Sequence, residues 1–238
     1  MADRNSPILL IFDLDGTLAN TGGVGRKTFE LTFYEMYGIT NAAGGVKPAG
    51  KTDQLIFEEL LKRNSVVYID FAQEFKQFSK HYIANFKMLF AKSDKPFIYD
   101  GVKTLLERLW MTNNVYMVLG TGNLRETATV HLQKHGISKY FPTGGFSNNV
   151  KQRPQLIKRA FDNAVDHYRV PFKPEQTWVI GDTPSDIAAG KVNGFHTLAL
   201  GSGKFTIDEL REHNPEALLD DLTDSEKFLS IVSKADTI

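Results

Sequence analysis

The chain has 238 residues, of which 42% are hydrophobic and 24% charged, enough for one large core or for a core with a small second domain. Lysine plus arginine number 28, as do aspartate plus glutamate, so no overall field argues for nucleic acid or an anionic membrane as a partner, and only a local basic pocket stays open. Cysteine is absent, which removes disulfides, thiolate metal sites and cysteine nucleophiles and fits a reducing compartment.

The opening residues Met1 to Ser6 show no basic-then-apolar signal pattern. The run that follows, Pro7-Ile8-Leu9-Leu10-Ile11-Phe12, is too short to span a bilayer, and a cytoplasmic protein is expected. That run is the length of a strand buried on both faces, with residues 8–12 as its body. It ends in Asp13-Leu14-Asp15-Gly16-Thr17. Ligands of open α/β sheets bind beyond the carboxyl ends of strands. Two carboxylates at alternate positions there make a hard-oxygen site suited to magnesium and to nucleophilic attack.

From about 21 to 95 no strand pattern follows. Phe71, Phe75, Phe78, Tyr82, Phe86 and Phe90 recur at steps of three or four, the spacing of one helix face. Such a stripe is either a partner-binding surface or the core of a small helical bundle, and the bundle is the reading taken. Gly38 and the Gly44-Gly45 pair punctuate it.

Beyond residue 95, helices and strands alternate, as in a parallel sheet. A helix over 102–110 leads to a strand over 114–119, and a helix over 124–135 stops at Gly136. Helices over 154–167, 186–193, 207–212 and 225–232 interleave with strands over 177–180, 196–200 and 217–219. The expected fold is α/β: a Rossmann-like parallel sheet flanked by helices, formed by 1–20 and 96–238, with an all-helical insertion over 21–95.

Three later segments sit where phosphoryl chemistry needs them. Thr121-Gly122-Asn123 closes the second core strand, and a hydroxyl with a helix N-terminus offers donors to phosphate oxygens. Thr121 alone also reads as a plain helix cap. Asp182, in Gly181-Asp182-Thr183-Pro184-Ser185-Asp186, ends an apolar strand as Asp13 does, so neighbouring strands would gather both acids around one cation. Asp186 serves either the helix dipole or the orientation of metal-bound water. Lys151 and Arg153 precede or open the intervening helix, and one buried cation is needed because several carboxylates plus a phosphate exceed the charge of one magnesium ion.

The ordered set Asp-Leu-Asp-Gly-Thr-Leu, Thr-Gly-Asn, a basic residue, then Gly-Asp-x-x-x-Asp resembles the four motifs of the haloacid dehalogenase-like (HAD) superfamily over almost the whole chain. The helical insertion resembles the cap of its phosphoglycolate-phosphatase-like branch, as does Gly50-Lys51-Thr52-Asp53. The resemblance implies that Asp13 attacks phosphorus to form an aspartyl-phosphate and that Asp15 is general acid and then base. It implies that Asp13, the backbone carbonyl of Asp15, and Asp182 hold magnesium, and that Thr121 binds a phosphate oxygen with Gly122 and Asn123 beside it. Lys151 or Arg153 would neutralise charge at the nucleophile. The family often shows Lys-Pro-x-Pro where this chain has Lys151-Gln152-Arg153-Pro154, and the reading leans to Lys151.

Asp15 sorts the chemistry towards ester hydrolysis, with a sugar phosphomutase as nearest alternative and a catalytically silent binding module as a second class. A response-regulator-like receiver also places acids at strand ends, but the long insertion and Asp15-Gly16-Thr17 argue against it. The implied substrate is a small-molecule phosphate ester whose organic part faces the cap, with Arg26, Lys51, Thr52 and Arg125 as candidate contacts. Arg26 and Arg125 also read as surface residues. A cationic Lys51 would suit a second anionic group, as in phosphoglycolate. Monomer and homodimer both stay open.

Overall fold

The computed structural model describes residues 6–148 and 150–233. The first five residues, part of the stretch read above for a signal pattern, lie outside that range.

Strand β1 (Ile8–Phe12) is central because nothing in it tolerates water. Leu9, Leu10, Ile11 and Phe12 are all fully buried. Alternation along the strand sends Leu10 and Phe12 to one face of the sheet and Leu9 and Ile11 to the other. Each face is covered by helices, which is why the run reads as continuously apolar. The sheet has the order β5-β4-β1-β6-β7-β8, with β4 at Val115–Gly120, β5 at Gly144–Gly145, β6 at Thr177–Gly181, β7 at His196–Leu200 and β8 at Ala217–Leu219. All of its pairings are parallel. The chain builds outwards from β1 to β4 and β5, then crosses to β6 on the other side. The carboxyl end of β1 is therefore the switch point at which such sheets bind ligands.

On the Phe12 face lie α4 (Val102–Met111), α5 (Arg125–His135) and α9 (Ser225–Val232), through Leu105, Leu109, Leu132 and Phe228. On the Ile11 face lie α6 (Arg153–Tyr168) and α7 (Pro184–Val192), through Leu156, Ile157, Ala160 and Ala189. The short α8 (Ile207–Arg211) packs Leu210 against Ile187 and Ala199. Helix α7 begins two residues before the sequence-based start, because Pro184 suits the first turn, where its missing N–H costs nothing.

Between β1 and α4 the chain forms β2 (Ala19–Asn20), three helices and β3 (Phe97–Ile98). The helices are α1 (Val24–Tyr37), α2 (Asp53–Arg63) and α3 (Phe71–Lys92). The two short strands pair antiparallel, so the chain leaves and re-enters through a two-residue ribbon. Phe75, Phe78, Tyr82, Phe86 and Phe90 are buried, and most of the stripe packs on Phe29, Phe33, Ile56 and Phe57. Its rings form a column: Phe57 to Phe78 at 4.2 Å between centroids, Phe78 to Tyr82 at 5.3 Å, Tyr82 to Phe86 at 6.3 Å and Phe86 to Phe90 at 4.9 Å. The column ends edge-on against His131 of α5 at 5.1 Å. No helix among the described residues is long and apolar enough to cross a membrane.

Strand β5 went unread in the sequence because it is two glycines. A side chain at Gly145 would lie 2.1 Å from the carbonyl oxygen of Leu156, so α6 rests directly on the strand backbone. We expect Gly145→Ala to destabilise the protein by about 2 kcal/mol or more, since neither backbone can yield without disturbing the core. Urea unfolding measures this; a loss within about 0.5 kcal/mol, typical of a neutral surface change, would contradict the packing.

Candidate active site

Asp13 follows β1, and its N–H donates to the carbonyl of Ile180 in β6 at 2.8 Å. This register sets Asp13 beside Asp182, which follows β6. Asp13, Asp182 and Asp186 each offer a carboxylate oxygen, all within 4.8 Å of one another, and all three are buried. Gly16 turns the chain back at φ +89°, and a side chain there would lie 2.3 Å from Asp182 Oδ2. Only glycine permits both that conformation and that approach. Thr17 donates its hydroxyl to Asp182 Oδ1 at 3.2 Å.

A single guanidinium answers these acids. Arg153, at the start of α6, places Nη2 2.7 Å from Asp13 Oδ1 and also bonds Asp186 Oδ1. The other oxygen of Asp186 accepts from the hydroxyl and N–H of Thr183, at 2.6 and 3.2 Å, so this residue caps α7 as well as joining the acidic group. Lys151 is not brought to Asp13. Its ammonium lies 2.6 Å from Glu58 of α2, because it precedes the helix and points to the insertion, whereas Arg153 lies in the first turn of α6 and points to the sheet. The sequence preference for Lys151 therefore gives way to Arg153 as the cation in contact.

Three carboxylates around one guanidinium leave an excess of negative charge. Burial first, then repulsion from Asp186 and Asp15, raises Asp13 to about 7 despite the opposing Arg153. Burial and repulsion from Asp13 and Asp186 raise Asp182 to about 8. Burial opposes the charge on Arg153 too, but Asp13 and Asp186 outweigh it and push its pKa up. All-oxygen donors with unbalanced charge fit a hard divalent cation such as magnesium.

Asp15 is half-buried and accepts from Asn123 Nδ2 at 2.6 Å. His131 places Nδ1 3.8 Å from the other oxygen of Asp15, and neither ring nitrogen has a hydrogen-bond partner among the described residues. Burial pulls the pKa of His131 down, which favours the neutral ring. Thr121 is buried, and its hydroxyl accepts from the Asn123 N–H at 3.3 Å. Thr121, Gly122 and Asn123 all line the cavity above the acids.

The insertion closes that cavity. The Asp53 N–H donates to the Gly122 carbonyl at 2.8 Å, and Asp53 Oδ2 accepts from the Leu124 N–H at 2.9 Å. A side chain at Gly122 would lie 2.4 Å from the Lys51 carbonyl. Lys51 and Arg26 line the cavity; Lys51 is paired with Glu59 at 2.5 Å, and Arg26 holds Glu30 at 3.3 Å and the Ala43 carbonyl at 2.9 Å. Thr52 is not at the cavity: it is fully buried and donates to the Lys151 carbonyl at 2.8 Å. Arg125 lies outside as well, over the Phe146 ring. His131 and Asp53 were missed as site residues: a lone histidine gives no signal, and Asp53 finds its partner 71 positions away.

The haloacid dehalogenase-like hydrolase family model matches residues 10–200, the stretch that supplies all of these groups. The chain belongs to that family. It is 26% identical over 230 residues to pyrophosphatase PpaX of Oceanobacillus iheyensis, covering 90% of this chain and 93% of the relative. It is 27% identical over 222 residues to pyrophosphatase PpaX of Halalkalibacterium halodurans, with the same coverage, 90% and 93%. Among solved structures, a hydrolase from Pseudomonas syringae aligns with TM-score 0.69 at 22% identity, covering 94% of this chain and 98% of that one. CbbY from Rhodobacter sphaeroides, in complex with phosphate, aligns with TM-score 0.69 at 16% identity, covering 92% and 96%. These structures share the fold of a parallel sheet flanked by helices.

Asp53 carries a pH-dependent cost. Burial, with a contribution from Asp15, raises its carboxyl to about 7 against the Leu124 hydrogen bond, from an ordinary value of 3.8. A raised carboxyl contributes stability that is full below the ordinary value and is lost as pH rises through about 7. Wild-type stability should therefore fall between pH 5 and pH 8 more steeply than that of Asp53→Asn, which keeps an acceptor for Leu124 but cannot ionise. Urea unfolding at both pH values reads the difference, and parallel slopes would refute it.

Proposed function

We propose that the protein is a magnesium-dependent phosphatase that hydrolyses a small-molecule phosphomonoester through an aspartyl-phosphate. The observation that carries this reading is the Asp13 carboxylate at the end of β1, buried between Arg153 and Asp182 and open to a cavity. Family membership and the relatives named pyrophosphatase support phosphoryl chemistry.

In the first step an Asp13 oxygen bonds to phosphorus as the ester P–O bond breaks, and Asp15 gives its proton to the departing alkoxide. In the second, Asp15 takes a proton from water, the water oxygen bonds to phosphorus, and the acyl-phosphate bond breaks to return Asp13 and release phosphate. Asn123 holds Asp15 on one oxygen and His131 stands beside the other. Thr121 and the neighbouring backbone N–H groups supply donors to the phosphoryl oxygens, and Arg153 offsets charge at the nucleophile. Asp13, the carbonyl of Asp15, and Asp182 would hold magnesium, with Asp186 close enough to take part. Bound there, the ion supplies positive charge that lets two anions meet. The insertion acts as a cap that excludes bulk water. The sequence-based substrate, phosphoglycolate, rests on a Lys51 free to meet a second anion, and its pairing with Glu59 weighs against that.

Phosphate release from simple phosphomonoesters should require magnesium, stop with chelator, and vanish in Asp13→Asn with the fold intact by circular dichroism. Substantial turnover by that variant would remove Asp13 as nucleophile. Arg153→Ala should lower kcat by about 100-fold or more. Lys151→Ala should stay within about fivefold of wild type, as loss of a half-exposed ion pair allows. The reverse ranking in steady-state kinetics would restore Lys151 to the basic role.

A further inference from the structure

The cavity over the acids holds about 540 Å³. That lies within the range of roughly 300–1,000 Å³ that accommodates drug-sized ligands, and far exceeds a phosphate with a two-carbon acid. Its two walls differ in chemistry. The core wall carries Asp13, Asp15, Thr121, Arg153 and Asp182. The insertion contributes Phe29, Ala43, Val46, Pro48 and Ile56. Phe29, Ala43, Val46 and Ile56 are at most 6% exposed, so they are firmly packed and present only their edges to the cavity, while Pro48 beside them is exposed.

The cations near that wall are already engaged. Lys51 is held by Glu59 and Arg26 by Glu30 and a backbone carbonyl. Drawing Lys51 to a second anion would strip Glu59 of its partner. Lys204 also lines the cavity, but it follows Gly203, where a side chain would collide with Asp182, and so belongs to the acid end. Asp53 adds a carboxyl to the lining and no cation.

We propose that the leaving group is an uncharged alcohol with an apolar, ring-sized body seated on Pro48 and the edges of Phe29, Val46 and Ile56, and that a second anionic group is selected against. This rests on the phosphatase reading above. It sets the chain apart from a phosphoglycolate or pyrophosphate specificity.

The test compares kcat/KM for benzyl phosphate, phosphoglycolate, glycerol phosphate and pyrophosphate, using the full chain with magnesium. Benzyl phosphate should exceed the other three by about tenfold or more, the discrimination that a fitted apolar pocket supplies. Val46→Lys, which sets an unpaired cation in the wall, should reduce the benzyl phosphate to phosphoglycolate ratio by about tenfold. Val46→Ala, which trims the apolar wall without adding a charge or a polar group, should lower kcat/KM for benzyl phosphate severalfold and spare phosphoglycolate. Equal or better turnover of phosphoglycolate or pyrophosphate by wild type, or a ratio unmoved by Val46→Ala, would overturn the inference and leave the phosphatase reading standing. Failure to hydrolyse any ester would overturn both.

Discussion

Arg153 stands where the charge of the whole site is settled. It spans Asp13 and Asp186, and thereby ties the first residue after β1 to the first turn of α7. Breaking a buried pair of this kind, with one partner left charged, typically costs about 3–5 kcal/mol. Even so, one guanidinium cannot neutralise three acids, and burial together with the remaining imbalance holds Asp13 and Asp182 well above their ordinary range. A fold that keeps such a cluster buried is poised to accept positive charge, and the proposed chemistry uses that poise.

The acids are close because the sheet is parallel and its order reverses at β1. Asp13 and Asp182 follow adjacent strands: Phe12 lies opposite Ile180, which sets Asp13 level with Gly181, and Asp182, one residue further on, comes within reach of it. Gly16 then lets the backbone fold over Asp182 at a distance no other residue would allow. The insertion is fastened to the same place. Asp53 bonds the backbone on both sides of Asn123, and Asn123 holds Asp15. Closure of the insertion and alignment of Asp15 are therefore linked through three consecutive residues.

Legibility in the sequence followed the physics of each element. Strand β1 was legible because burial on both faces demands an unbroken apolar run, and the aromatic stripe because α3 must bury one side. Strand β5 was not, since two glycines carry no pattern and the strand exists only because α6 and β4 pack on it. Asp13, Asp182 and Thr121 could be found from their places at strand ends. The choice between Lys151 and Arg153 turned on where α6 starts, and a difference of two residues there redirects a side chain from the sheet to the insertion. Thr52 belongs to a recognisable motif, but its hydroxyl is spent on a carbonyl of the core. Sequence supplies the residue type; only the fold supplies the partner.

The column of rings in α3 bears on how the two parts of the molecule are held together. Its last member, Phe90, meets His131 edge-on, while the chain crosses between the parts at the β2–β3 ribbon. The third attachment is polar and lies at the site itself, where Asp53 bonds Gly122 and Leu124 and Thr52 bonds the Lys151 carbonyl. An apolar contact, a strand pair and a set of hydrogen bonds thus anchor the insertion at three separate places, and the polar one is the anchor that sits against the phosphate-binding turn.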